Sequence, residues 1–306
     1  QTIREAYKIA REGRPGPVYI DVPKDMQSAE TKATIPDKVD IPSFNPTLYP
    51  NPKQLKRAVE LILEAERPLI LAGGGVIISN ASNELIKFAE TGLAPVTTTV
   101  MAKGAFPEDH PLALRVIGMH GTEMANYAVI NADVLITIGC RFSDRITGIT
   151  KSFQEGKKII HMDIDPAEIG KNVKVEVPIV GDAKIILSEI TKLLVAEGSK
   201  WKNRNSEWRK KIKELKETCD AAEDKDIKKD GLTVKFVCHE MSKFIKDRDI
   251  VVTGVGQHQM FAEHYLKRKL PRTFITSGGA GTMGFGLPAA LGAKVGKPDE
   301  DVWDLD

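Results

Sequence analysis

Pro68-Leu69-Ile70-Leu71-Ala72-Gly73-Gly74-Gly75 is the stretch on which the fold turns. A short, wholly apolar run that ends directly in three glycines reads as a buried strand followed by a tight turn. The same grammar repeats on both sides. A helix fits 52–65, with Leu55, Val59, Ile62 and Leu63 at helical spacing. A second helix fits about 80–91, and strands fit 95–99, 133–138, 158–163 and 176–180. The last strand leads through Gly181-Asp182 into a helix ending near Val195. Apolar strands alternating with helices predict an α/β fold of parallel sheets covered by helices on both faces.

Further out, the pattern breaks and resumes. Pro17 to Val22 reads as a short buried strand closed by Pro23, after a helix over residues 1–13 that keeps Ile3, Ala6, Tyr7 and Ala10 on one face. Pro36, Pro42, Pro46, Pro50 and Pro52 then exclude a regular element, so this part is an extended linker. Residues 198–230 carry Trp201, Trp208 and eight Lys or Arg between Lys200 and Lys216. That charge run reads as a solvated inter-domain helix rather than a nucleic-acid patch. Beyond it a helix fits 233–246, a strand 249–253, a helix 258–267, a strand 273–276 and a helix from Gly286. Asp301 to Asp306 begins like a strand and stops, and the opening residues read as the middle of a helix, so a piece cut at both ends is expected.

Composition narrows the function. The chain has 306 residues, 42% hydrophobic and 28% charged, with 44 basic against 42 acidic side chains. A net charge of +2 makes no case for nucleic acid as the main partner. No apolar run approaches the roughly 20 residues of a membrane span. Three scattered cysteines, Cys140, Cys219 and Cys238, exclude a disulfide scaffold and fit a reducing compartment.

Several segments fall where an open α/β sheet binds ligands, beyond the carboxyl ends of its strands. Gly73-Gly74-Gly75 allows a diphosphate to approach a helix start, but it reads equally as a plain tight turn. Cys140-Arg141-Phe142-Ser143-Asp144-Arg145 carries two arginines able to hold phosphate or carboxylate. Asp163-Ile164-Asp165-Pro166 and Gly181-Asp182 supply carboxylates for ribose hydroxyls, or simply helix starts. His120, in Gly118-Met119-His120-Gly121-Thr122, has no second His or Cys at ligand spacing, which argues against a metal there. Later, Gly254-Val255-Gly256-Gln257-His258 suits a phosphate, and 277–288 holds five glycines in twelve residues. No obvious nucleophile or general base is present, which points to a cofactor that does the chemistry.

Taken together, Gly13 to Val18 with Asp21-Val22-Pro23-Lys24-Asp25, Ile117 to Gly121, Arg141 to Gly148, Gly254 to Met260 and Met283 to Ala290 resemble the acetohydroxyacid (acetolactate) synthases, a family of thiamine-diphosphate enzymes. The resemblance runs in family order over residues 13 to about 297. It implies that 1–27 are the tail of a pyrimidine-binding domain, 28–47 a linker, 48–197 a central FAD-binding Rossmann-like domain, 198–213 a linker helix, and 214–306 part of the diphosphate-binding domain.

The implied reaction decarboxylates pyruvate on thiamine diphosphate. The hydroxyethyl unit is then ligated to a second 2-oxoacid, pyruvate or 2-oxobutanoate, in branched-chain amino-acid synthesis. FAD and Mg²⁺ are the other implied cofactors. A homodimer or tetramer, a regulatory small subunit, and a cytoplasmic or organelle-stroma location are implied as well. By resemblance, Gly73, Gly74, Gly75, Thr99, Val100, Met119, His120, Gly121, Arg141, Asp163, Ile164 and Asp182 contact FAD. Gln257 and His258 lie at the thiamine diphosphate, the Gly281 carbonyl accepts from the aminopyrimidine, and Met283 is the apolar wedge that bends the cofactor. Arg145 grips the second oxoacid's carboxylate, unless it pairs internally with Asp144 or a nearby acid. The resemblance puts the catalytic Glu before Gln1 and the metal motif after Asp306, so this stretch alone is expected to be inactive. Val302 to Asp306 departs from the expected apolar strand, and Ser143 stands where many relatives have Asp.

Overall fold

A computed structural model describes residues 1–32, 38–229 and 231–306. Pro36 of the expected linker lies outside the described residues. Six strands form the first sheet: β1 (Pro68–Ala72), β2 (Val96–Thr98), β3 (Ala113–Val116), β4 (Val134–Ile138), β5 (Lys158–Asp163) and β6 (Val177–Val180). All pairings are parallel, in the order β3-β2-β1-β4-β5-β6. Every residue of β1 and β4 is buried, because helices cover both faces. One face packs Leu55, Ile62, Phe88 and Ile186 under the helices Pro52–Glu64, Ser82–Gly92 and Ala183–Ala196. The other packs Leu69, Leu71, Leu135 and Met124 under Glu123–Asn131. That helix and β3 are elements the sequence reading left unassigned.

A second, smaller sheet follows. β7 (Ile250–Thr253), β8 (Phe274–Thr276) and β9 (Val302–Leu305) pair in parallel in the order β8-β7-β9. The closing segment is therefore a paired strand, in full register with β7 from Ile250↔Val302 to Thr253↔Leu305. The segment read as beginning like a strand and then stopping thus keeps its ladder through Asp304 and Leu305, with the Asp304 side chain exposed.

Two further expectations change. Residues 17–22 form no strand, and Val18, Tyr19 and Val22 are exposed. An extended segment becomes a strand only with a neighbour to take its N–H and C=O groups, and flanking prolines remove donors here. The basic segment is a pair of helices, Lys200–Arg204 and Ser206–Lys229, and is not merely solvated. Trp201 and Trp208 are 2% and 3% exposed, one plugging each face of the first sheet's core. Trp201 tilts against Phe88 at 5.3 Å and packs on Gly92, where a Cβ would collide with the indole. The Trp208 Nε1–H donates to the Pro68 carbonyl at 3.0 Å. Lys200, Lys210, Lys211 and Lys213 are exposed, Lys216 turns inward to the carbonyls of His110 (3.0 Å) and Ala113 (2.9 Å), and the long helix runs unbroken through the boundary expected at 213/214. Among the described residues no helix is long and apolar enough to cross a membrane.

Candidate functional site

Because the first sheet is wholly parallel, all six strands deliver their carboxyl ends to one edge. The order reverses between β1 and β4, so the connections leave toward opposite faces and a cleft opens there. The cleft encloses about 380 Å³ and is lined by Gly75, Gly139, Asp163, Ile164 and Asp182. Residues 11–15 close one side. Arg14 anchors that segment, donating to Glu168 at 2.6 Å and Asp165 at 3.2 Å. The hydrogen bond to Glu168 is the main cause raising its pKa.

The glycine turn is built for contact between backbones. The Gly73 and Gly75 amides donate to the carbonyls of Ile138 (2.8 Å) and Gly139 (3.1 Å). A Cβ on Gly73 would collide with the Gly139 carbonyl, and one on Gly75 would lie 2.7 Å from Gly139 Cα. Gly139 itself sits at φ +57°, where glycine is at ease. Gly74 faces Met101: a Cβ added there would lie 3.3 Å from Met101 Cβ. The turn therefore packs β1 against β4, and two of its three amides are engaged by the sheet rather than free for an anion. Only Gly75 of the three lines the cleft.

The acids have double duties. Asp182 Oδ1 caps the Ala183–Ala196 helix, accepting from Lys184 N at 3.0 Å and Ile185 N at 3.2 Å. Asp163 Oδ1 accepts from Asp165 N at 2.9 Å, and burial raises the Asp163 pKa against that bond. Each carboxylate keeps a second oxygen for a ligand. Behind them His161 is fully buried, Nε2 against the Cys140 carbonyl at 3.0 Å, and burial pushes its pKa down to about 4. Burial pushes the Cys140 thiol up to about 12. Both groups are neutral parts of the core.

Along the rest of the edge, Thr99 and Val100 follow β2, Met119, His120 and Gly121 follow β3, and Arg141 follows β4. None of these lines the cleft; Thr99 is buried while Met119, His120 and Arg141 are exposed. The twelve residues expected at a flavin thus occupy the ends of all six strands. Five strand spacings of ~4.8 Å give an edge of about 24 Å, the reach of an extended dinucleotide. Arg145 is exposed, and its Nη1 lies 3.8 Å from Met119 Sδ. Among the described residues no carboxylate stands within ion-pair distance of it, and its carbonyl accepts from Met119 N at 2.9 Å. The expected alternative, an internal pair with Asp144, does not form.

At the second sheet, Gln257 opens the helix Gln257–Tyr265. His258 Nε2 is buried and lacks a hydrogen-bond partner among the described residues. Gly256 leaves room for that ring, since a Cβ there would lie 2.9 Å from His258 Cε1. Gly281 adopts φ +63°, and Met283 is 80% exposed. Asp304, whose pKa burial raises with help from Asp306, lies beside Gly286. Among the described residues no group of three or more His, Cys, Asp or Glu is placed to hold a metal ion.

The two sites meet. A Cβ on Gly278 would lie 2.5 Å from Met101 Sδ, so one thioether separates the Gly73–Gly75 turn from the glycine-rich loop after β8. Sequence reasoning passed over Met101, and also over Lys103, a lone charge in the otherwise apolar 101–106. That isolation was the available signal.

Comparison with known proteins follows the same division. The thiamine pyrophosphate enzyme central domain matches residues 55–190, and the C-terminal TPP binding domain of the same enzymes matches 254–306. The chain is 53% identical to the probable acetolactate synthase large subunit of Methanocaldococcus jannaschii, over 99% of this chain and 52% of that protein. It is 47% identical to the acetolactate synthase large subunit of Corynebacterium glutamicum, over 100% of the chain and 49% of that protein. For the chloroplastic acetolactate synthase 1 of Nicotiana tabacum the figures are 42%, 100% and 46%. The chain spans about half the length of these curated relatives.

Proposed function

The chain belongs to the thiamine pyrophosphate enzymes, and from that premise we propose that the whole protein is an acetolactate synthase of the large-subunit type. The observation that carries the reading is the meeting, across Met101, of a six-strand nucleotide edge and a glycine-rich loop beside an orphaned His258 nitrogen. When bound, thiamine diphosphate supplies the nucleophilic carbon and the electron sink that decarboxylation of pyruvate requires.

The residues present fit that group. His258 Nε2 is buried, has no hydrogen-bond partner among the described residues and is available to a diphosphate oxygen, with Gln257 at the same helix start. Gly281 holds a left-handed conformation, and the reading assigns its carbonyl as the acceptor for the aminopyrimidine. The exposed Met283 offers a soft apolar support. FAD fits the long edge: Asp163 and Asp182 keep free oxygens for ribose, and Gly75 and Gly139 let the backbone come close. Among the described residues no carboxylate pairs with Arg145, which leaves it for that of the second 2-oxoacid. We assign no described residue to magnesium, although the reading includes it as a cofactor.

A homodimer or tetramer, a regulatory small subunit, and residence in the cytoplasm or an organelle stroma complete the reading. The large-subunit names of the relatives and three free thiols support these. The test is the full-length protein supplied with pyruvate, 2-oxobutanoate, thiamine diphosphate, Mg²⁺ and FAD. Formation of 2-acetolactate and 2-aceto-2-hydroxybutanoate is expected. Glyoxylate-derived products or acetate from oxidation would replace this activity with that of another carboligase or an oxidase. Bound flavin with no carbon–carbon bond formation would make the protein a binding module.

A further inference from the structure

Between the two sheets lies a set of charged side chains that neither site uses. Lys103 and Glu108 face each other with each side chain only 1% exposed. The Lys103 ammonium donates to Glu108 Oε1 at 2.7 Å, to Oε2 at 2.8 Å, and to the Glu263 carbonyl at 2.8 Å. All three of its donors are therefore taken. Burial lowers its pKa, and the Glu108 carboxylate, through its charge and hydrogen bonds, opposes that shift. Glu108 also binds the second unit: its Oε2 accepts from Arg268 N at 2.7 Å, and its own amide donates to the Arg268 carbonyl at 3.1 Å.

Glu263 belongs to the last turn of the Gln257–Tyr265 helix. Arg115, at the end of β3, reaches the next carbonyl of that turn, His264, at 3.4 Å. Its guanidinium is otherwise held by Glu223 at 2.6 Å and Asp220 at 3.1 Å. Last-turn carbonyls have no partner within a helix, and the negative end of its dipole attracts cations. Two buried cations from the first unit thus cap one helix of the second. That helix begins at Gln257 and His258, while Lys103 follows the Thr99–Val100 end of the flavin edge by three residues.

We propose that Lys103 is a positioning residue which, by capping the Gln257–Tyr265 helix from the first unit, fixes Gln257 and His258 relative to the flavin edge and so sets thiamine diphosphate binding. This rests on the reading of Gln257 and His258 as cofactor residues. A buried ion pair on its own is a poor source of stability compared with apolar replacements. The distinctive bond is the third one, to a carbonyl in another unit, and only a three-donor point charge makes it together with both carboxylate oxygens.

The test uses the full-length protein and compares K103M, the double variant K103M/E108Q, and H258A with the parent. Thiamine diphosphate with Mg²⁺ is titrated by tryptophan fluorescence, FAD by flavin fluorescence, and Tm is followed by calorimetry. K103M leaves an unpaired buried carboxylate and is expected to lower Tm; the double variant removes that charge and is expected to regain most of it. Both are expected to raise the Kd for thiamine diphosphate tenfold or more while the Kd for FAD stays within twofold. Parent-like thiamine diphosphate affinity in the double variant, with H258A weakened, would overturn the role of Lys103 alone. Unchanged affinity in H258A would instead remove the cofactor reading at that helix, and this proposal with it.

Discussion

Single residues show where a sequence speaks and where it is silent. The strand-end positions Asp163, Ile164, Asp182 and Gly75 were legible, because a residue type that follows an apolar strand is confined to one edge of the sheet. The partners of the glycines were not. Gly73 and Gly75 answer to Gly139, more than sixty residues on, and the strand pairing that brings them together has no local signature. Lys103 and Arg115 drew no reading, because nothing local shows that both are buried against carboxylates, Glu108 five residues on and Glu223 in a distant helix. Arg145 is the converse case: an arginine with no carboxylate partner among the described residues. In the full-length protein, Arg145→Ala is expected to leave Tm and both cofactor affinities unchanged. Its loss should weaken capture of the second 2-oxoacid by about 1.5–3 kcal/mol, a ten- to hundredfold rise in its KM. The check is a competition between pyruvate and 2-oxobutanoate, with the product ratio and melting temperature read for parent and variant.

Elements were legible where their own periodicity sufficed. The strands at 68–72, 133–138 and 158–163 and the helix before them match the reading to within a residue or two. β3 escaped because Arg115 interrupts its four residues, and that arginine is acceptable inside because Glu223, Asp220 and the His264 carbonyl take its donors. Pro17 to Val22 erred the other way, having strand-like composition and no neighbour. The 198–230 segment was judged by its lysines when Trp201 and Trp208, one in each of its two helices, decide its place. Trp208→Phe keeps the ring's packing but strands the Pro68 carbonyl, which loses its 3.0 Å donor. A loss of about 1–2 kcal/mol is expected, against less than about 0.5 kcal/mol for the exposed Lys210→Ala. Urea denaturation of the two variants beside the parent measures the difference.

At the scale of the whole molecule, a doubly wound fold was legible but the strand order was not, since alternation of strands and helices fixes parallel pairing without saying which strands are neighbours. Nor did the sequence reveal how firmly the two sheets are joined. Glu263 lies in that junction, and burial pushes its carboxyl from 4.5 up to about 7, with Lys103 opposing. The native state therefore holds its proton more tightly than the unfolded chain does. Its stabilising contribution is complete below pH ~4.5 and is lost as pH rises through 7, a change on the order of 3 kcal/mol. Glu263→Gln should flatten this part of the curve. Tm recorded at intervals from pH 5 to 8 for both proteins gives the comparison, and parallel curves would show that Glu263 titrates alike in both states.

The Gln257–Tyr265 helix has nine residues, which at 1.5 Å per residue makes an arm of about 13 Å. It is held at one end by Lys103 and Arg115 and carries Gln257 and His258 at the other. A slip of about 5° at the held end swings the far tip by about 1 Å, and displacements of that size cost on the order of a hundredfold in rate. The junction at Lys103 and Arg115 is thus the fulcrum of a lever, where small errors in seating are magnified at the tip.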